Sequence, residues 1–160
     1  MSNENNVFYW LPCSVVFVST AHEGNKDIMT ATAMFVSEKE PLLVISVAKD
    51  HLTEKLISQS GKFTLVIAGA DQEKLAIQVG SAKGEDSDKF ERFGIVTSPG
   101  IGSAALIPEG SAAWMECEVE SSKEIQGYQL FMGRVVNQSD SGKPPLVWHK
   151  DRFFGLTKKE

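Results

Sequence analysis

The sequence predicts a mainly β domain with short helices, its strands closed into an antiparallel barrel. Six or seven strand-like runs follow one another along the chain, with only two helical segments set among them. The links between runs are hairpin-type turns, and no strand is followed by the glycine-rich turn of a dinucleotide-binding fingerprint, so a doubly wound sheet is excluded. At 160 residues the chain has the length of one ordinary domain and can bury a substantial core.

The first six residues, MSNENN, are polar and aperiodic, so 1–10 reads as a flexible N-terminal tail and 11–160 as a single domain. From Cys13 to Thr20 the chain is β-prone and forms the first long strand. Ala21 to Asp27, with Gly24 and Asn25 at its centre, is a hairpin-type turn. The β-branched run Leu42 to Val47 follows Pro41 and precedes Lys49 and Asp50, which reads as a strand buried on both faces and interrupted by Ser46. Asp50 is placed to cap a helix over 51–60 whose Leu52, Leu56 and Ile57 share one side and which Gly61 ends.

Phe63 to Ala68 is apolar on both faces, and Gly69 and Asp71 introduce a second helix with Leu75 and Val79 four apart, ended by Gly80. Residues 81–94 read as a charged surface loop in which only Asp88 to Phe93 is helical. Gly100 to Gly110 is a linker between layers. Ala113 to Val119 alternates, with Met115, Cys117 and Val119 on one side and Glu116, Glu118 and Glu120 on the other, a half-solvated strand. Its antiparallel partner is Tyr128 to Val136, after a polar turn at Ser121 to Gln126. Pro144 and Pro145 end that hairpin before a last strand, Leu146 to His149.

The formal net charge of −5, with acidic residues spread along the chain, excludes a nucleic-acid or anionic-membrane surface. No basic leader with an apolar core stands at the N-terminus and no apolar run is long enough to span a bilayer, so a cytoplasmic protein is expected. Cys13 and Cys117 lack metal-ligand spacing and sit inside strand-like runs, which favours reduced thiols. His22, His51 and His149 have no paired spacing for a metal, and no nucleophile stands in a triad motif.

The stretch that carries chemistry is Asp27 to Thr53. Thr30, Ala31, Thr32 and Ala33 have short side chains that let a flat ring lie against the backbone, and the two hydroxyls can hydrogen-bond it. Lys49 and Thr53 flank a helix start, where free amides, a positive dipole end, an ammonium and a hydroxyl suit a phosphate. Asp50 opposes this, because its carboxylate competes for the same donors. Each residue also has a plainer reading. Thr30 and Thr32 can be ordinary strand threonines, Lys49 a solvated charge, and Ser87, Lys89 and Phe90 parts of a capped turn. Trp114 and Trp148 read as barrel or interface residues.

Met29 to Ala33, Val36 to Leu42, Ser46 to Thr53, Ser87 to Phe90, Met115 to Cys117, Leu130 to Val135 and Pro145 to Trp148, in this order and spacing, resemble the flavin reductase-like family. The resemblance covers nearly the whole chain. It implies an FMN-binding split β-barrel, a homodimer, and electron or hydride transfer through bound FMN, with FAD as the alternative cofactor and a redox protein as a partner. It implies a flavin site at Thr30, Ala31, Thr32, Ala33, Ser46, Val47, Ala48, Lys49, Thr53, Ser87, Lys89 and Phe90. One departure bears on the electron donor: where reductases of this family carry Gly-Asp-His, this chain has Gln126-Gly127-Tyr128, which leaves NAD(P)H in doubt and a flavoredoxin-like carrier open. A flavin-free dimeric scaffold with the same barrel is the reading from another class.

Overall fold

The computed structural model describes residues 7–160. Of the expected tail, 1–6 lie outside the described residues, and the rest forms a one-turn helix, α1 (Val7–Trp10), followed by the extended Leu11 and Pro12. The β-prone run after Cys13 forms strand in two pieces, β1 (Cys13–Ser14) and β2 (Val16–His22), which pair with different partners. Glu23 and Gly24, both at positive φ, turn the chain into β3 (Asn25–Ala31). Then come β4 (Ala33–Ser37), β5 (Leu42–Ala48), α2 (Leu52–Ser60), β6 (Lys62–Ile67), α3 (Glu73–Ser81) and α4 (Lys89–Arg92). The C-terminal half holds β7 (Thr97–Pro99), β8 (Leu106–Pro108), β9 (Ala113–Ile125), β10 (Tyr128–Asp140), β11 (Leu146–His149) and β12 (Arg152–Gly155).

Seven strands make the main sheet in the order β3-β2-β6-β9-β10-β5-β4, every pair antiparallel. The two edges, β3 and β4, are consecutive in the chain and separated by Thr32 alone. One intervening residue spans at most about 8 Å, so the sheet must curl until its edges meet. The result is a barrel split along a seam at Thr32. β1, β11 and β12 form a small sheet beside it, and β7 pairs with β8.

Two apolar clusters follow from the alternation of strand side chains. Val16, Val18, Leu43, Ile45, Val47, Phe63, Leu65, Cys117 and Phe131 fill the barrel, with Ile57 of α2 packed among them. Phe17, Ile28 and Val66 point the other way, onto Ala76 and Val79 of α3, Phe90 of α4, Ile107 and Leu146. β2 and β6 are therefore buried on both faces, as the apolar run Phe63 to Ala68 requires. Cys13 and Cys117 are free. Burial, reinforced by the neighbouring Glu116 charge, pushes the Cys117 thiol up to about 12, so it stays protonated and inert at neutral pH.

Several expectations change. Among the described residues twelve strands and four helices replace the expected six or seven and two, and Leu146–His149 is followed by a further strand, β12. β5 is buried on one face only: Leu43, Ile45 and Val47 point into the barrel while Ser46 is exposed, because among the described residues no layer covers the outside of this strand. Asp50 does not cap α2. It sits at φ +68, and His51 takes the cap position without a side-chain hydrogen bond. α3 runs through Gly80 to Ser81, since Gly80 packs against Thr30, where a β-carbon would come within 3.2 Å. The polar segment Ser121 to Ile125 is strand, and Gln126 and Gly127, at φ 49 and 82, make a two-residue turn. β9 and β10 run on together as a solvated ribbon, so both faces are polar and no hydrophobic alternation marks them. Glu116 departs too: it is 2% exposed, beneath the segment expected to be a simple linker.

That segment is tied to the barrel by the Glu116 carboxylate. The amides of Ile101, Gly102 and Ser103 donate to it at 2.8 to 3.2 Å, and Asn137 Nδ2 adds a bond at 2.8 Å. A buried carboxylate is tolerated only when hydrogen-bonded on this scale.

Candidate functional site

Two concavities flank the strand that runs from Asp27 through the seam. The first is an apolar cleft of about 660 Å³ at the seam, lined by Thr32, Ala33, Met34 and Phe35, by Leu43 to Ser46 and by Leu11 to Ser14, and reaching the barrel residues Val16 and Leu65. The register places Ser46 opposite Leu130, and Ala48 opposite Tyr128, so these four share the outer face. Tyr128 is exposed there, at the base of the β9–β10 turn.

The second is a polar cavity of about 100 Å³ at the N-terminus of α2, bordered by Asp27, Thr30, His51, Thr53, Gly80, Lys83, Glu85 and Lys89. Thr53 donates its hydroxyl proton to Asp27 Oδ2 at 2.6 Å. Lys89 pairs with Asp27 Oδ1 at 3.5 Å and donates to the Ile28 carbonyl at 2.7 Å, with both charged side chains almost fully buried. Thr30 donates to the Ala76 carbonyl at 2.7 Å, fastening β3 to α3. At the mouth, Glu85 takes the place that Asp50 leaves. Partial burial raises its pKa, but hydrogen bonds from its own amide and that of Leu52, with the charges of His51 and Lys55, outweigh burial and hold it below the ordinary value. The anion-seeking end of α2 therefore already meets a carboxylate.

The residues singled out in the sequence thus divide. Thr32, Ala33 and Ser46 line the cleft, while Thr30, Thr53 and Lys89 border the polar cavity. Lys49 stands at the end of β5, half-buried, 3.6 Å from Glu124 and 4.0 Å from Glu54, and its amide donates to Gly127. Ala31 and Ala48 are half-buried in the strands that join the two regions. Val47 points into the barrel core and Phe90 into the second cluster, where Lys26 lies 5.4 Å over its ring. Ser87 accepts a long hydrogen bond from Arg92. Asp27, on which Thr53 and Lys89 converge, was not marked as a site residue, because an aspartate near a turn reads as solvated. Its one sequence signal is a charge between Lys26 and the apolar Ile28 within a strand-like run.

Residues 8–157 match the flavin reductase-like domain. The chain belongs to the flavin reductase-like family. Among its relatives is the protein YddH of Escherichia coli, 37% identical over 116 residues, an alignment that takes in 70% of this chain and 61% of that protein. The NADH-dependent flavin reductase StyB of Pseudomonas fluorescens is 25% identical over 145 residues, 88% of this chain and 80% of StyB. The FMN-binding protein of Thermus thermophilus, solved with bound p-hydroxybenzaldehyde, superposes with a TM-score of 0.87 at 21% identity, covering 98% of this chain and 93% of that one. This flavin reductase-like domain therefore has the split-barrel architecture of its neighbours. Among the described residues no helix is long and apolar enough to cross a membrane, and no cluster of His, Cys, Asp or Glu is arranged to hold a metal.

Proposed function

We propose that the protein binds FMN and passes electrons through it, with the ring in the apolar cleft and the phosphate near the start of α2. The observation that carries this reading is the placement of Met29 to Ala33: one strand and its seam border both the cleft and the polar cavity, so one elongated ligand with an apolar and an anionic end meets both. The donor set fits such a group where the ring would lie: Thr32 and Ser46 offer hydroxyls beside an apolar wall, and Ala33 and Ala48 leave room for a ring. At the other end a phosphate would compete with Glu85 for the first amides of α2 and with Glu124 and Glu54 for Lys49. Flavin, when bound, supplies the redox chemistry, and the chain's part is to bind, orient and hydrogen-bond it.

Titration with FMN and riboflavin tests this directly. Lys49→Ala is expected to weaken FMN binding by roughly 1–3 kcal/mol, the range for a charged hydrogen bond, and to leave riboflavin unaffected. Equal losses for the two flavins would remove Lys49 from the phosphate site. A wild-type protein that takes up neither FMN nor FAD would leave the flavin-free scaffold standing.

The nature of the donor turns on Tyr128. A tyrosine stacks and donates one hydrogen bond but carries no positive charge at neutral pH, so it cannot pair with the phosphates of a nicotinamide cofactor. NADH and NADPH are expected to bleach the reconstituted protein slowly in stopped-flow mixing, whereas dithionite bleaches it completely. Fast, saturable bleaching by either nicotinamide would restore the reductase reading over a carrier fed by a redox protein.

The protein is further proposed to act as a homodimer. β4 exposes Met34, Phe35 and Val36, Leu11 is exposed beside the same cleft, and Val7, Phe8 and Trp10 of the N-terminal segment are exposed as well. A second copy covering this face would also close the cleft that Leu11, Met34 and Phe35 line. Light scattering at micromolar protein should give twice the chain mass of 17.5 kDa, and a monomer that still holds FMN would contradict the arrangement.

A further inference from the structure

Asp27 joins three segments that are distant in sequence. Its carboxylate is 3% exposed; one oxygen accepts from Thr53 in the first turn of α2, and the other faces Lys89 at the start of α4. Gly84 presses so closely on the carboxylate that a β-carbon there would lie 2.5 to 2.6 Å from its atoms. Lys89 is held a second time by the carbonyl of Ile28, the residue after Asp27. The contacts run from β3 to α2 and to the 84–89 segment, which are three walls of the polar cavity.

The same contacts occupy two groups that a phosphate would otherwise use. Lys89 is charge-paired with Asp27 and donates to the Ile28 carbonyl, and the Thr53 hydroxyl donates its only proton inward, so the charge and the hydroxyl proton that would draw a phosphate are already engaged. An anion would have to compete for the backbone at the start of α2, whose Leu52 amide already meets Glu85, and for Lys49, which lies 3.6 Å from Glu124 and 4.0 Å from Glu54; Thr53 sits in that same first turn.

We propose that Asp27 is a positioning residue for the phosphate end of the flavin site: it orients the first turn of α2 through Thr53 and braces the opposing wall through Lys89 and Gly84. The inference rests on the flavin reading above and adds that Thr53 and Lys89 serve the site through Asp27, without touching the ligand. A merely structural carboxylate would lower affinity for every flavin alike. A positioning one discriminates between flavins with and without phosphate.

The test combines flavin titration with amide hydrogen exchange on Asp27→Asn, Thr53→Val and the double variant, at a temperature where circular dichroism shows each folded. Asp27→Asn is expected to weaken FMN about tenfold and riboflavin less than about threefold. Exchange should quicken in residues 50–56 and 83–90 and stay unchanged in β9 and β10. Thr53→Val should weaken FMN in the same sense, and the double variant should lose no more than Asp27→Asn alone, because the two residues act in series. Equal losses for FMN and riboflavin, additive losses in the double variant, or unchanged exchange at the start of α2 would each overturn the proposal. If Asp27→Asn does not fold, Thr53→Val alone decides: unchanged FMN affinity overturns the proposal, and a loss confined to FMN with faster exchange in 83–90 supports it. Wild-type protein that takes up neither flavin refutes the flavin reading itself, and exchange in the variants then shows separately whether Asp27 couples the three segments.

Discussion

Lys89→Met is expected to lower stability by about 3–5 kcal/mol, because it leaves the Asp27 carboxylate buried without its counter-charge. Lys89 is 4% exposed and Asp27 3%, so water cannot step in as it would at a surface pair. Methionine fills nearly the same volume, which makes the loss electrostatic, with little contribution from a cavity. For a domain of this size the melting temperature should fall by about 10 °C. Asp27→Asn with Lys89→Met should recover much of the loss, since removing both charges of a buried pair is often close to neutral. Urea unfolding of the single and double variants at one protein concentration checks this. A double variant no more stable than Lys89→Met would mean that the hydrogen bonds to Ile28 and Thr53 outweigh the charge pairing.

Glu116→Gln is expected to cost about 2–4 kcal/mol, the scale of unmade charged hydrogen bonds in a buried site. The carboxylate accepts from the amides of Ile101, Gly102 and Ser103 and from Asn137, all of them donors. A glutamine keeps one acceptor oxygen and turns its NH2 toward donors that need an acceptor. Gly100 is also close enough to the carboxylate that a β-carbon there would collide with it, so the loop has no slack to rearrange. Beyond the shift in the denaturant midpoint, limited proteolysis should cut between 100 and 104 faster in the variant. A variant as stable and as resistant as wild type would show that Asn137 reorients its amide and absorbs the change. The prediction also bears on Cys117, whose thiol is held up partly by the Glu116 charge.

The barrel was legible in the sequence because its signals are local. β-branched runs such as Cys13 to Thr20 and Phe63 to Ala68, the glycine turn at Gly24, and the helix over 52–60 with its left-handed Gly61 each follow from a few neighbouring residues. The short-side-chain stretch Thr30 to Ala33 was marked on the same grounds, and so was the helix start beside Lys49. Residue type and spacing decide such features before any long-range contact forms.

What the sequence could not reveal depends on partners far along the chain. Glu116 alternates with apolar residues and reads as solvated until a loop 13 to 15 residues earlier folds over it and supplies three amides. Thr53 and Lys89 each suit a phosphate by type. Only the packing of β3 against α2 and the 84–89 segment turns both onto Asp27, 26 residues from Thr53 and 62 from Lys89 along the numbering. The sequence by itself thus determined the family and the strand-rich fold, and nominated a region for the site. The tertiary structure alone decided which polar groups there remain free, because burying a carboxylate forces the nearest donors onto it and takes them from any ligand.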